Sequence, residues 1–407
     1  MARRPTTLED TLRPAFEGIG GVELDMPSEG ADIEIEDAGP EMLDGAEFTE
    51  MDDGGVEIDF EPDEDLPEIA AFDANLALYM DDMDMNALGE MLLSGVEEDR
   101  QSRGDWEATM SEGIKLMGLK IEERSVPFKG ACGVYDPLMA EAVVRWQAVA
   151  TGELLPAAGP VKTQVIGVAN EQLDAQASRV QQFMNLYLTE LAPEFYEEFD
   201  QMLFWLPLVG STFKKTYQDR LLGRPVSRFV LPDNFIASYG TTDLSTSPRF
   251  CHITPMTRRN FRLAQLAKVY RDIDLGDPQG DDSAQTPIQA QVDGVQGVEP
   301  GAEGTEEYKI YEVYADLNLS GFENEDGIPL PYTVTIEEGS RKVLAIYRNY
   351  EETDPTFQRK NMFTHYKFMP GVGFYGLGYA HLLGNSAKTA TSIRRQLIDA
   401  GTLNNFP

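Results

Sequence analysis

Cysteine, histidine and basic side chains are all scarce in this sequence. The two cysteines, Cys132 and Cys251, cannot build a disulfide framework, and neither has a second thiol at C-x-x-C spacing. They read as reduced intracellular thiols. The three histidines, His252, His365 and His381, show no paired ligand spacing, so no metal centre and no metal cofactor is expected. Lys and Arg number 33 against 70 Asp and Glu, a formal charge of −37. A broad basic face is thereby excluded, because gripping a nucleic-acid backbone needs lysine and arginine at the phosphates. Long apolar runs are missing too. The longest, Met202 to Gly210, is too short for a membrane span and is interrupted by Pro207. No basic-then-apolar leader opens the chain. A membrane protein, a secreted scaffold and a basic DNA-binding protein are all unexpected.

The acid is concentrated at the start. Residues 1–70 hold 23 Asp and Glu against Arg3, Arg4 and Arg13, a net of −20, and residues 71–100 add −7. The other 307 residues carry only −10, ordinary for a globular body. Runs such as Asp32-Ile-Glu-Ile-Glu-Asp37 and Glu61-Pro-Asp-Glu-Asp65 set single apolar residues among carboxylates. Such a composition buries too little surface to offset ordering entropy, so residues 1–75 are expected to form a disordered acidic segment. It is either a solvated tail or a docking segment for a basic partner.

Beyond it the pattern predicts an α+β body. Residues 76–210 are expected to be helical. Trp106, Met110, Ile114, Met117 and Ile121 form one apolar stripe, and Asp136-Pro137 starts a helix carrying Ala142, Trp146 and Val149. Asn170 caps another, whose Leu173, Ala177, Val180, Met184, Tyr187 and Leu191 keep the helical period until Pro193. These stripes are expected to be core. Residues 211–370 shift toward period two. Strands are predicted at 212–217, 225–231, 249–254, 307–319 and 361–369, with a hairpin over 332–349 turning near Glu338-Gly339. A basic helix is expected over 258–270. Residues 276–304 lose all aromatics and read as an exposed, mobile insertion. The remainder, 371–407, is a glycine-rich turn leading into a helix over 379–400. The chain ends without a closing element, as expected of a piece of a longer protein.

The motifs are few. Gly371-Val-Gly373-Phe-Tyr-Gly376 fits G-x-G-x-x-G between a strand and a helix, the setting of a dinucleotide-binding turn. Phe374 and Tyr375 crowd the place where a pyrophosphate must meet bare backbone, and no acid follows at the end of a second strand. Ser211-Thr-Phe-Lys214 fits S-x-x-K without its companion motifs, and Gly159-Pro-Val-Lys162-Thr163 lacks the Gly-Lys pair of a phosphate-binding loop. No nucleophile, base and electrophile converge, which favours a non-enzyme without a cofactor. The one basic group of interest is Lys388, Arg394 and Arg395, suited to inter-helix or inter-subunit salt bridges or to proximity to DNA.

Several stretches in order resemble the portal proteins, or head–tail connectors, of short-tailed bacteriophages. They are Arg124 to Leu138 with its proline- and glycine-marked loop, Val143 to Ala148 with Leu155 to Lys162, Pro207 to Lys215, Asp326 to Tyr332, His365 to Gly376, and Lys388 to Gly401. The likeness covers about residues 105–407 without the 276–304 insertion. It implies a wing-type region of a homo-oligomeric ring, usually a dodecamer, at one vertex of a capsid in the virion, assembled in the host cytoplasm. Double-stranded DNA would pass through non-specifically, with a terminase motor, tail or adaptor proteins and capsid or scaffolding proteins as partners. The stem and clip would then lie in sequence beyond residue 407. Two other classes fit the residues less well: a nucleotide-binding enzyme using 371–376, and an acidic protein that mimics DNA. Deleting residues 1–70 is expected to leave assembly intact; failure of the shortened chain to assemble, read by light scattering, would contradict an accessory role for the segment.

Overall fold

Leu76 and Ala77, just past the acidic segment, are completely buried against a β-sheet in the computed structural model of the chain. The structure describes Glu47–Glu50, Val56–Asp59 and residues 71–405 except 169, 220–221, 239, 279–285, 298–306, 325 and 372. Two units separate, Met1–Glu68 and Ile69–Pro407. In the first, β1 (Glu47–Glu50) pairs antiparallel with β2 (Val56–Asp59), Glu47 opposite Asp59. The rest of residues 1–70, expected to be disordered, lies outside the described residues. Residues 71–75 shared that expectation and depart from it. Asn75 is 5% exposed, and its side-chain oxygen accepts from the backbone N–H groups of Ala77 (3.1 Å) and Ile346 (2.9 Å). One amide side chain thereby ties the start of the body to the five-stranded sheet.

The second unit combines helices with two antiparallel sheets, an α+β arrangement. The helices are α1 (Asp82–Ser102), α2 (Gly104–Leu116), α3 (Leu138–Leu154), α4 (Glu171–Leu186), α5 (Glu194–Val209), α6 (Arg258–Leu266), α7 (Pro287–Gln296) and α8 (Tyr379–Asn405). Strands β3 (Ser211–Asp219), β4 (Arg224–Val230) and β10 (Phe363–Lys367) form one sheet, in the order β10-β3-β4. The other runs β5-β6-β7-β8-β9, from Phe235–Ala237, Arg249–Thr257, Glu307–Leu317, Leu330–Glu337 and Val343–Arg348. The predicted strands and hairpin are recovered; β5, three residues long, was not anticipated.

Period two explains how the larger sheet is covered. Tyr311, Val313 and Ala315 of β7 face the cluster that includes Met85, Leu92 and Val96 of α1. Tyr308 and Ile310, on the other face, pack with Phe261 of α6. Aromatic rings join the two sheets: Phe213 stacks on Phe235 (4.0 Å), Phe235 on Phe250 (5.5 Å) and Phe250 on Tyr314 (4.8 Å), with Phe363 edge-on to Phe250 and Tyr314.

At the junction of α1 and α2 stands Arg103, 1% exposed. Its Nε donates to Glu107 (2.7 Å), and its two Nη groups donate to the carbonyls of Pro232 (3.0 Å) and Asp233 (2.8 Å) and to the Tyr375 hydroxyl (3.2 Å). Burial by itself would lower the guanidinium's pKa; Tyr375, Glu107 and Asp233 outweigh it and raise it.

Several expectations about the core are corrected. In α2 the stripe is buried at Trp106, Met110, Ile114 and Met117, but Ile121 lies past the helix and is exposed. In α3 the buried residues are Met139 and Val143, whereas Val149 is exposed and Trp146 half-buried against Phe368. The face toward α5 and α8 is rotated from the one expected because Gln147 and Thr151 reach Asp200 of α5 at 3.0 and 2.9 Å. In α4 the whole expected core stripe is wrong. Asn170 caps the helix as predicted, accepting from Leu173 N–H at 2.8 Å, yet no residue of α4 is buried. The described part of the 276–304 insertion contains α7, whose Ile288 is 3% exposed in the main core.

Replacing Arg103 with Leu removes one partner of a buried ion pair and strands Glu107. The expected loss is about 3–5 kcal/mol of unfolding free energy in urea. A variant within 1 kcal/mol of the parent would show that the guanidinium is not structurally needed.

Candidate functional site

The glycine-rich turn lies against the junction of α5 and β3, and backbone occupies the room a phosphate would need. Gly210, at φ 87°, ends α5; a Cβ there would lie 2.4 Å from Gly378 N. A Cβ on Gly376 would come within 2.3 Å of the Gly210 carbonyl oxygen. Phe374 and Tyr375 point inward, 0% and 3% exposed. At the end of the turn three N–H groups are engaged: Gly376 donates to Ser211 Oγ (2.7 Å), Leu377 to Met369 O (2.9 Å) and Gly378 to His381 Nδ1 (3.2 Å). These glycines permit close backbone packing, which is a different use of the G-x-G-x-x-G spacing.

His365 Nε2 lies 3.0 Å from Ser211 Oγ, the distance of a base from its nucleophile. The pair is nevertheless enclosed. Ser211 is 0% exposed and already accepts from Gly376, while His365 stacks on Phe213 and Phe374 at 4.5 and 4.7 Å. Burial, helped by Lys367, pushes the imidazole down to about 3, which keeps it neutral and able to accept from the hydroxyl. Ser211 and Lys214, the S-x-x-K pair, lie on a strand three residues apart and so on opposite faces.

On the Lys214 face, the ammonium lies over the rings of Phe195 and Phe199 at 4.6 and 5.0 Å, without a hydrogen bond among the described residues. The nearby carboxylates are taken: Glu194 by Arg224 (2.6 Å) and Glu198 by Arg228 (3.0 Å). Lys215 turns the other way into a buried cluster with Glu312, which also lies 3.0 Å from His252 Nδ1 and 3.4 Å from the Tyr314 hydroxyl. Burial would raise the Glu312 carboxyl, but Lys215 and His252 overcome this and hold it well below the usual range.

The three basic residues singled out in the sequence lie on α8 but do not form one cluster. Lys388 and Arg395 border a cleft of about 860 Å³ between α2, α8 and the 120–135 loop. Lys388 is 3.3 Å from Glu112, and Arg395 is 3.0 Å from Glu122. Arg395 also donates to the Val134 and Gly133 carbonyls (2.9 and 3.2 Å) and lies 4.4 Å over the Tyr135 ring. Burial alone would raise the Glu122 carboxyl; the Tyr135 hydrogen bond, Lys115 and Arg395 lower it. Asp399 of α8 accepts from Cys132 N–H at 2.7 Å. Arg394 points away to Asp136, 3.4 Å distant. Within its own chain Arg395 acts as the clasp of the 120–135 loop. Each of the three has a carboxylate of the same chain beside it, and the cleft lining interleaves Lys115, Arg124, Lys388 and Arg395 with Glu112, Glu122 and Asp399. Among the described residues no group of three His, Cys, Asp or Glu could hold a metal ion, and no helix is long and apolar enough to cross a membrane.

No family model matches the chain, and no curated protein matches it.

Sequence reasoning did not single out Arg103, Glu122 or Glu312. Signals existed for two of them. Arg103 and Glu107 stand at i, i+4 where two helices meet, and Glu312 occupies the inward register of Tyr308, Ile310 and Tyr314. Glu122 gave none, because Tyr135 reaches it through the fold of the loop and Arg395 comes from α8.

Lys214 supplies a test of the electrostatics. Burial lowers its pKa from 10.5 to about 8, so the folded chain releases this proton before the unfolded one does. Its contribution to stability therefore rises between pH 8 and 10.5 and is least favourable below 8. Lys214→Met is expected to be more stable than the parent at pH 7 by roughly 1–3 kcal/mol, with the gap narrowing toward pH 10 in urea titrations. A variant less stable at pH 7 would contradict the cost assigned to this buried ammonium.

Proposed function

We propose that the chain is a structural subunit of a ring-shaped, portal-type connector, contributing a wing-like region to a homo-oligomer, and that it catalyses no reaction. The observation that carries this reading is α4. It holds a continuous apolar stripe and buries none of it within its own chain, as a subunit completed by further copies would. The resemblance of the stretches within residues 105–407 to portal proteins supports the same reading. So does the electrostatics of the body, where Lys388, Arg394 and Arg395 are each beside a carboxylate.

The proposed action is passive. Each phosphate neutralised by a fixed cation releases counterions and deepens the trap for a moving duplex, with a salt slope of about −0.9 per contact. On this reading a net-negative ring with few basic clusters lets double-stranded DNA pass without being held. The work of moving it falls to a separate terminase motor, and the ring's outer surfaces serve capsid, scaffolding and tail proteins. On this reading the protein resides at the capsid vertex of the virion.

Light scattering joined to negative-stain imaging of the purified chain tests the reading. A closed annulus, with a mass near twelve copies, is the expected result. A chain that stays monomeric at high concentration would count against it and favour an acidic protein acting alone.

A further inference from the structure

A second long helix shares the exposure of α4. On α8, the side turned away from the body runs through Leu382, Ser386, Thr389, Ile393, Leu397 and Ala400, at steps of four, three, four, four and three. All six are exposed, and Leu382, Ile393 and Leu397 are 47%, 61% and 73% so. The stripe contains no charged residue, although the chain carries −37 overall. The opposite side, with Ala380, Ala387, Thr391 and Asp399, is the buried one. Spacings of three and four with small residues between larger ones make a seam fit for a second helix.

The α4 face supplies the larger side chains that such a seam lacks. Leu173, Val180, Phe183 and Met184 are 40%, 49%, 59% and 37% exposed. The helix is held from its polar side, where Gln181 and Asn185 accept from the backbone N–H groups of Thr163 and Val161 at 3.2 and 2.8 Å. Next to it, Ile166 and Val168 of the same connection are 97% and 90% exposed.

We propose that α4 of one copy packs on the outer stripe of α8 of the next, a head-to-tail contact repeated around the assembly. This deepens the ring reading and rests on it. Charge favours a second copy as the occupant. Copies at −37 repel wherever their acids meet, so two can join only through surfaces poor in acid. Both stripes are uncharged. Exposed charges of both signs flank them, Asp174 and Arg179 beside the α4 stripe and Arg394 beside the α8 stripe. The two faces are unlike, one bulky and one of smaller residues. A pair of unlike faces on one chain is heterologous, and such a contact closes into a ring when its rotation divides the circle. The helices are about 24 and 40 Å long, enough to form the centre of an interface of roughly 800 Å² a side, with Ile166 and Val168 extending it.

Cysteine cross-linking in a Cys132→Ser background, with the buried Cys251 retained, tests the pairing directly. Val180→Cys and Ile393→Cys are made singly and together and treated with a short bismaleimide. The double variant is expected to give a ladder of covalent multimers, a mixture of the two single variants a covalent dimer, and each single variant alone only monomer. Val180→Asp with Phe183→Asp is expected to lower the assembled fraction at least tenfold while the far-UV spectrum and melting temperature stay unchanged, since both side chains are exposed. A dimer from Val180→Cys alone would mean that α4 meets α4, and would overturn the proposed pairing. Rings that form undisturbed in the double-Asp variant and give no ladder would overturn this interface and leave the ring reading standing. A parent chain that never assembles would overturn both.

Discussion

A guanidinium buried where two helices meet governs how this fold closes. Arg103 belongs by sequence to the end of α1, yet its donors are spent on carbonyls of the 232–235 segment, on Glu107 one turn into α2 and on the hydroxyl of Tyr375. Those groups come from three regions far apart in the chain. An unpaired charge in that place would be intolerable, so the α1–α2 angle, the entry into β5 and the position of the glycine-rich turn are settled together. Trp106 stacked on Tyr375 at 4.6 Å closes the same junction from the apolar side.

Much of what resembles chemistry in this molecule turns out to be joinery. The Ser211–His365 pair has the separation of a catalytic dyad, but the hydroxyl also accepts from Gly376, and aromatic rings pack against the imidazole. Lys215 neutralises Glu312 between the two sheets, and His252 lies within hydrogen-bond distance of the same carboxylate. The glycines after residue 370 let three backbone segments approach more closely than any Cβ would allow. In each case a polar or special residue is enclosed and satisfied.

The distribution of apolar surface has the opposite character. The cores around the sheets are well filled, while α4 and the outer side of α8 present uncharged stripes to solvent. A strongly acidic chain has little other surface on which like copies can meet, because their charges repel over distances near the Debye length of about 8 Å at physiological salt. On the proposed reading, a shared geometry among copies would depend on where charge is missing as much as on where apolar side chains stand.

The sequence by itself determined the elements. Period two and period three-to-four patterns located the strands from Ser211 onward other than β5 and the helices from Gly104 onward other than α7, and Asn170 marked the start of α4, because these are local consequences of side-chain spacing. Spacing says which residues share a face; it does not say what covers that face. For that reason the stripe of α4 read as core and is exposed, and Ile288 in a polar stretch read as surface and is buried. The partners of Arg395 were equally invisible, since Glu122, Gly133 and Val134 lie some 260 to 270 residues away along the chain. Whether an apolar face is satisfied, or a charge is matched, depends on contacts between distant segments, and only the tertiary structure brings those segments together.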